Sequence, residues 1–148
     1  MTNLNCVCAC GHTQFEIKGQ PKFRMLCHCT ICQRFNQSTH ADVLIFSTKQ
    51  IKTPDSEVVE FTTYKAPPNV QRGTCVKCQQ PAIEVFNMPL MPKLTMVPAG
   101  MFANDAVLPK PKAHIFYDKR VADVQDDCPK VSGFLRSQLR FFKHLWFG

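Results

Sequence analysis

The sequence predicts a mainly β domain of antiparallel sheets, built around metal-binding cysteines and ending in a helical tail. Three observations lead there. Short runs of alternating apolar residues recur between proline-rich turns. Nine cysteines fall into spaced clusters within 148 residues. The last residues of the chain switch to helical periodicity.

The strand candidates follow in order. Residues 13–18 alternate, with Phe15 and Ile17 on one face, and read as a strand. Residues 22–26 form a second short candidate, and residues 29–35 a helical turn. Residues 40–46, 58–64, 69–75, 82–86, 93–97 and 114–117 are further strand candidates. Turn signals separate them: Pro54-Asp55-Ser56, Pro67-Pro68-Asn69, Met88-Pro89, Pro98-Ala99-Gly100 and Pro109 to Pro111. Many short strands joined by such turns indicate an antiparallel β architecture. The length suits one domain. A hydrophobic share of 45% supplies a core and excludes disorder over most of the chain. No apolar run approaches the roughly 18–20 residues that a membrane-spanning helix needs.

The tail reads differently. Leu135, Leu139, Phe142 and Trp146 recur at helical steps and define one face, while Arg136, Arg140 and Lys143 define another. No acidic residue occurs from Phe134 to Gly148. A basic amphipathic helix can lie on a membrane surface or a partner. The favoured expectation is that the Leu135, Leu139, Phe142 and Trp146 face packs on the chain's own domain, so residues 5–134 form the domain and 135–148 its tail.

Cysteine use sets the chemistry. An odd count of nine cannot pair fully within one chain. Met1 to Asn5 leads straight into Cys6, Cys8 and Cys10 without the basic and apolar segments of a secretory leader. A cytoplasmic location with reduced thiols is the expectation. Cys27-His28-Cys29-Thr30-Ile31-Cys32 gives C-x-C-x-x-C, and Cys75-Val76-Lys77-Cys78 gives C-x-x-C. Such turns place sulfurs about one metal, and zinc prefers four of them in a tetrahedron. Seven cysteines divide as four plus three. Cys8, Cys10, Cys75 and Cys78 make a closed site, with Cys10 preferred to Cys6 because Gly11 follows it. Cys27, Cys29 and Cys32 make a site lacking a fourth protein ligand, open to water or substrate. Cys6 is then a spare thiol, and Cys128, between acidic residues and a proline, is neither ligand nor nucleophile. The formal charge of +7 falls to +4 once seven thiolates and two Zn²⁺ are counted (−7 + 4 = −3). That modest excess gives little reason to expect a nucleic-acid partner and suits a small anionic substrate.

Among the other polar residues, the side chain of His28 should point away from the cysteines on either side of it. His40 and His114 read as hydrogen-bonded strand residues. Arg34 and Arg72 adjoin the clusters; a guanidinium there can grip a substrate carboxylate in a bidentate contact, although a solvent-facing arginine is the commoner outcome.

Cys8-Ala9-Cys10-Gly11, Phe15-Glu16, Cys27-His28-Cys29-Thr30-Ile31-Cys32-Gln33-Arg34 and Arg72-Gly73-Thr74-Cys75-Val76-Lys77-Cys78 together resemble the glutathione-dependent formaldehyde-activating enzyme family, whose domain is shared with centromere protein V. Val97-Pro98-Ala99-Gly100, His114-Ile115-Phe116 and Arg120 agree with it. The resemblance implies a β-tent of antiparallel sheets. It implies two zinc ions per chain, one structural on Cys8, Cys10, Cys75 and Cys78 and one catalytic on Cys27, Cys29 and Cys32. It implies carbon–sulfur lyase chemistry on a small-molecule thiol or thiol–aldehyde adduct such as S-hydroxymethylglutathione. The alternative is a non-catalytic zinc module that binds a partner, as the relation to centromere protein V implies. Two departures stand out: Gln79 where the family usually has Gly after its C-x-x-C, and Gln33 in place of the first Arg of an Arg pair.

Overall fold

The alternation becomes nine strands in two sheets in the computed structural model, which describes residues 3–104 and 106–147. In chain order these are β1 (Asn3–Val7), β2 (Gln14–Lys18), β3 (Phe23–Cys27), helix α1 (Thr30–Asn36), β4 (Ala41–Ser47), β5 (Val59–Thr63), β6 (Val70–Cys75), β7 (Pro81–Phe86), β8 (Leu94–Pro98), β9 (His114–Ile115) and helix α2 (Phe134–Phe147). β1 and β2 form a separate antiparallel ribbon. The other seven strands lie in the order β5-β6-β7-β8-β4-β3-β9, antiparallel except for the β3–β9 pair. Every expected strand is present within a residue or two, although only His114 and Ile115 of the 114–117 candidate pair in a sheet. β1 is an addition that the sequence reading did not contain.

The large sheet has apolar side chains on both faces. In β4, Leu44 and Phe46 join one core cluster, and Val43 and Ile45 join the other. Period-two alternation sends these pairs to opposite sides, so the near-continuous apolar run Val43 to Phe46 follows from cover on both sides. The β1–β2 ribbon covers the first side, burying Cys6 and Ile17. On the second side Phe23 and Met25 of β3 lie beneath Phe141 and Leu145 of α2. Among the described residues, no helix is long and apolar enough to cross a membrane.

The tail corrects one expectation. α2 does pack on the domain, but through Ser137, Phe141 and Leu145. The predicted face is largely open to solvent: Leu135 is 67% exposed, Leu139 61% and Trp146 57%. Ser137 explains the choice of face. It is fully buried, its Oγ accepts from Phe116 N–H at 2.8 Å, and its small size lets the helix approach β9. One turn on, the Phe141 ring meets Phe23 edge-on, centroids 5.2 Å apart.

Two substitutions check this docking. Phe141→Ala should lower stability by about 2–3 kcal/mol, less than for a fully buried ring. Leu139→Ser should change it by no more than about 0.5 kcal/mol. Urea denaturation followed by circular dichroism reads both, and a larger loss for Leu139→Ser would reverse the assignment of the packed face.

Candidate metal centres

Two turns bring the first cluster together. After β1 the chain folds back through Cys8-Ala9-Cys10-Gly11, with Gly11 N–H donating to the Cys8 carbonyl at 3.0 Å. Gly11 has φ +81°, a left-handed conformation that glycine adopts without a β-carbon penalty. The second turn follows β6, where Gln79 N–H returns to the Cys75 carbonyl at 2.9 Å. Gln79 itself has φ +64°. The departure from glycine at this position therefore keeps the turn at a steric cost of roughly 1–2 kcal/mol.

Gly73 sets the approach of the second turn. The β6–β7 register shifts by one residue beside it, leaving Ala82 over between Pro81 and Ile83. A β-carbon at Gly73 would lie 2.5 Å from Val59 Cγ1 and 3.1 Å from the Ile83 carbonyl oxygen. Only a residue without one lets β5 and β7 close on β6 here.

The sulfurs then converge. Cys8 Sγ lies 3.4 Å from Cys10 Sγ and 3.7 Å from Cys75 Sγ, and Cys10 Sγ is 3.7 Å from Cys75 Sγ. With Cys78, all four lie within 4.8 Å of one another. Tetrahedral bonds of about 2.3 Å, the zinc–thiolate length, would put sulfurs about 3.8 Å apart, so the spacing fits. Backbone N–H groups point at the sulfurs as they do at thiolates: Thr13 N–H to Cys8 at 3.3 Å and His12 N–H to Cys10 at 3.5 Å. Burial pushes the Cys75 thiol up, but donation from the backbone N–H groups of Cys78 and Lys77 and from the Thr13 side chain outweighs it and brings the thiol down to about 5.

The second cluster arises within one short segment. Cys27 ends β3, Cys29 caps α1, and Cys32 lies in its first turn. Their sulfurs also fall within 4.8 Å of one another, and among the described residues no fourth His, Cys, Asp or Glu ligand atom joins them. Cys32 N–H donates to Cys29 Sγ at 3.3 Å. The thiols of Cys27 and Cys32 also stabilise a Cys29 thiolate, pulling it down to about 3 while their own thiols move up. Three sulfurs this close would hold a soft divalent cation once their protons are displaced.

Behind these sulfurs lies a chain of buried histidines. His28 points away from its neighbouring cysteines, and its Nε2 lies 2.8 Å from His114 Nδ1. His114 Nε2 lies 2.8 Å from Asp126 Oδ2. The Asp126 carboxylate accepts from His114 Nε2–H, and one proton is shared between His28 Nε2 and His114 Nδ1. His28 Nδ1 is buried without a hydrogen-bond partner in the described structure. Burial, then the repulsion that a positive charge on His40 or His114 would exert, pushes the His28 imidazole down to about 4, and it stays neutral. His40 stacks on it at 4.8 Å. Gln33 donates through Nε2 to the carbonyls of His28 at 2.7 Å and Lys119 at 2.8 Å, tying α1 to the β3 end and the segment after β9.

The arginines have separate surroundings. Arg72 Nε lies 2.9 Å from Glu84 Oε1, close enough for an ion pair though off hydrogen-bond alignment, and both side chains are nearly buried. Arg34 is exposed and sits over the Tyr64 ring at 5.2 Å, with the Arg72 guanidinium 5.8 Å from the same ring. Sequence reasoning did not single out Glu84 or Tyr64. A carboxylate inside the apolar run Ala82-Ile83-Glu84-Val85-Phe86 was the available signal, since such a charge needs a buried partner. Cys6 and Cys128 stay outside both clusters, and burial pushes the Cys6 thiol up to about 12.

The family model for the glutathione-dependent formaldehyde-activating enzyme matches residues 3–119, which contain both cysteine clusters. No individual curated protein matches the sequence.

The first cluster should prove inseparable from folding. Cys78→Ser should lower metal content and abolish cooperative thermal unfolding, and Gly73→Ala should move the melting temperature in the same direction by displacing the strand that carries Cys75. An unchanged melt with full metal content in Cys78→Ser would contradict the four-sulfur grouping.

Proposed function

The chain belongs to the glutathione-dependent formaldehyde-activating enzyme family, and from that premise we propose that it is a zinc-dependent carbon–sulfur lyase acting on a thiol–aldehyde adduct such as S-hydroxymethylglutathione. The observation that carries the reading is the contrast between the two clusters. Four sulfurs close one of them, whereas Cys27, Cys29 and Cys32 leave a tetrahedral position for a ligand from outside. We assign the closed cluster to a structural zinc ion and the open one to a catalytic ion. When bound in the open cluster, zinc supplies Lewis acidity and lowers the pKa of a thiol that reaches it.

The chain's own residues supply the frame for the reaction. In the synthetic direction the thiol sulfur bonds to the aldehyde carbon, and the proton lost from sulfur ends on the former carbonyl oxygen. The reverse step breaks that carbon–sulfur bond and returns the proton. No oxidant or reductant is required. Cys29 at the helix cap and Cys32 in the first turn fix the position of the open face relative to α1. Gln33 and the His28–His114–Asp126 chain hold that segment from behind. Arg72 is committed to Glu84, which leaves Arg34 as the cation available to a substrate carboxylate above Tyr64.

Cys29→Ser tests the proposal. It should bind about one zinc equivalent fewer than the parent protein, because two thiolates make a poor zinc site. Its melt should remain cooperative, and thiol-dependent turnover of the adduct should disappear. Arg34→Ala should keep both ions and raise KM for the thiol about tenfold, the lower end of what a charged hydrogen bond contributes. Full turnover by Cys29→Ser, measured against the uncatalysed reaction, would overturn the assignment.

A further inference from the structure

We propose that the outward face of α2 is a docking surface for anionic lipid membranes. The helix is fixed by one face and unused on another. Ser137, Phe141 and Leu145 anchor it on the domain. At about 100° per residue, Leu135, Leu139 and Trp146 point roughly 140° away from that anchor. These three side chains are more than half exposed, so a surface laid against them would meet no part of the anchoring side.

Charge selects the occupant. Arg136 and Lys143 are exposed and Arg140 half-buried, and they line one flank of the stripe, roughly 90° around from it. With the stripe seated in the acyl boundary, the three cations stand at headgroup level, the arrangement of helices that lie in the plane of an anionic interface. The helix bears no carboxylate to repel that surface. A second copy of the chain is a poorer partner, because it would bring another acid-free basic helix alongside the first. The pattern is one of low overall hydrophobicity with leucine and tryptophan on one side and arginine on the next, which suits reversible surface binding.

Trp146 is the only tryptophan in the chain, so its fluorescence reports on this face directly. The full-length protein is mixed with phosphatidylcholine vesicles containing 30% phosphatidylserine or none, and binding is followed by co-sedimentation and by the Trp146 emission maximum. The expected result is binding to the anionic vesicles with a blue shift, at least tenfold weaker on neutral vesicles and falling steeply between 50 and 300 mM salt. Leu135→Ser with Leu139→Ser should remove the blue shift, and Arg136→Glu with Lys143→Glu should remove the preference for anionic vesicles. Both pairs alter solvent-facing side chains, and unchanged melting and zinc content show that the domain is intact. Absence of binding at low salt, equal binding to both vesicle types, or a concentration-dependent dimer that Leu139→Ser abolishes would each overturn the proposal. Cys29→Ser should bind vesicles as the parent does, which separates failure here from failure of the catalytic reading.

Discussion

The rest of the structure depends on the meeting of the Cys8–Cys10 turn with the Cys75–Cys78 turn. Cys8 and Cys75 are 67 positions apart in sequence, yet their sulfurs are 3.7 Å apart. The β1–β2 ribbon shares no strand ladder with the large sheet. It touches its surroundings through isolated bridges, Cys6 to Phe102 and Ile17 to Ile51, and through the apolar contacts of Cys6 and Ile17. A metal held by all four sulfurs would cross-link ribbon and sheet. Closing so long a loop removes much freedom from the unfolded chain, and the ion's binding energy then becomes folding energy. Gly11, Gly73 and the left-handed Gln79 are the local concessions that let the two turns approach.

The second cluster has a different relation to the fold. Cys27, Cys29 and Cys32 come from one strand end and one helix cap, so binding a metal there closes no long loop. The surrounding hydrogen bonds already hold the segment: His28 N–H donates to Ile115 O at 3.0 Å, and Gln33 spans from α1 to His28 and Lys119. The two clusters also belong to different apolar cores, with Cys8 and Cys75 in one and Cys32 in the other. This separation would let a cation in one site exchange ligands without loosening a sheet held by the other.

Much of this was legible from residue spacing, because two-residue alternation and C-x-x-C turns are local signals. What escaped was non-local. β1 is hidden because Cys6 alternates with Cys8 and Cys10, so the segment reads as a run of cysteines rather than as a strand; in the structure Cys6 faces the core and pairs opposite Phe15. The ion pair of Arg72 with Glu84 joins neighbouring strands, and the His28–His114–Asp126 chain joins residues 86 and 12 positions apart, so neither follows from spacing. The tail misled for a physical reason. Its most hydrophobic stripe reads as the packed one, but close approach is decided by Ser137, a small side chain that satisfies the Phe116 N–H.

The central claim is that seven sulfurs hold two zinc ions, one closed and one open. X-ray absorption at the zinc edge, with metal analysis of the same sample, tests it most directly. Seven sulfurs shared by two ions predict an average of about 3.5 sulfurs per zinc at about 2.3 Å, with the remainder a lighter atom. Two equivalents with that average would agree with the account. An average of four sulfurs per ion, a single equivalent, or imidazole scattering from His28 would contradict it.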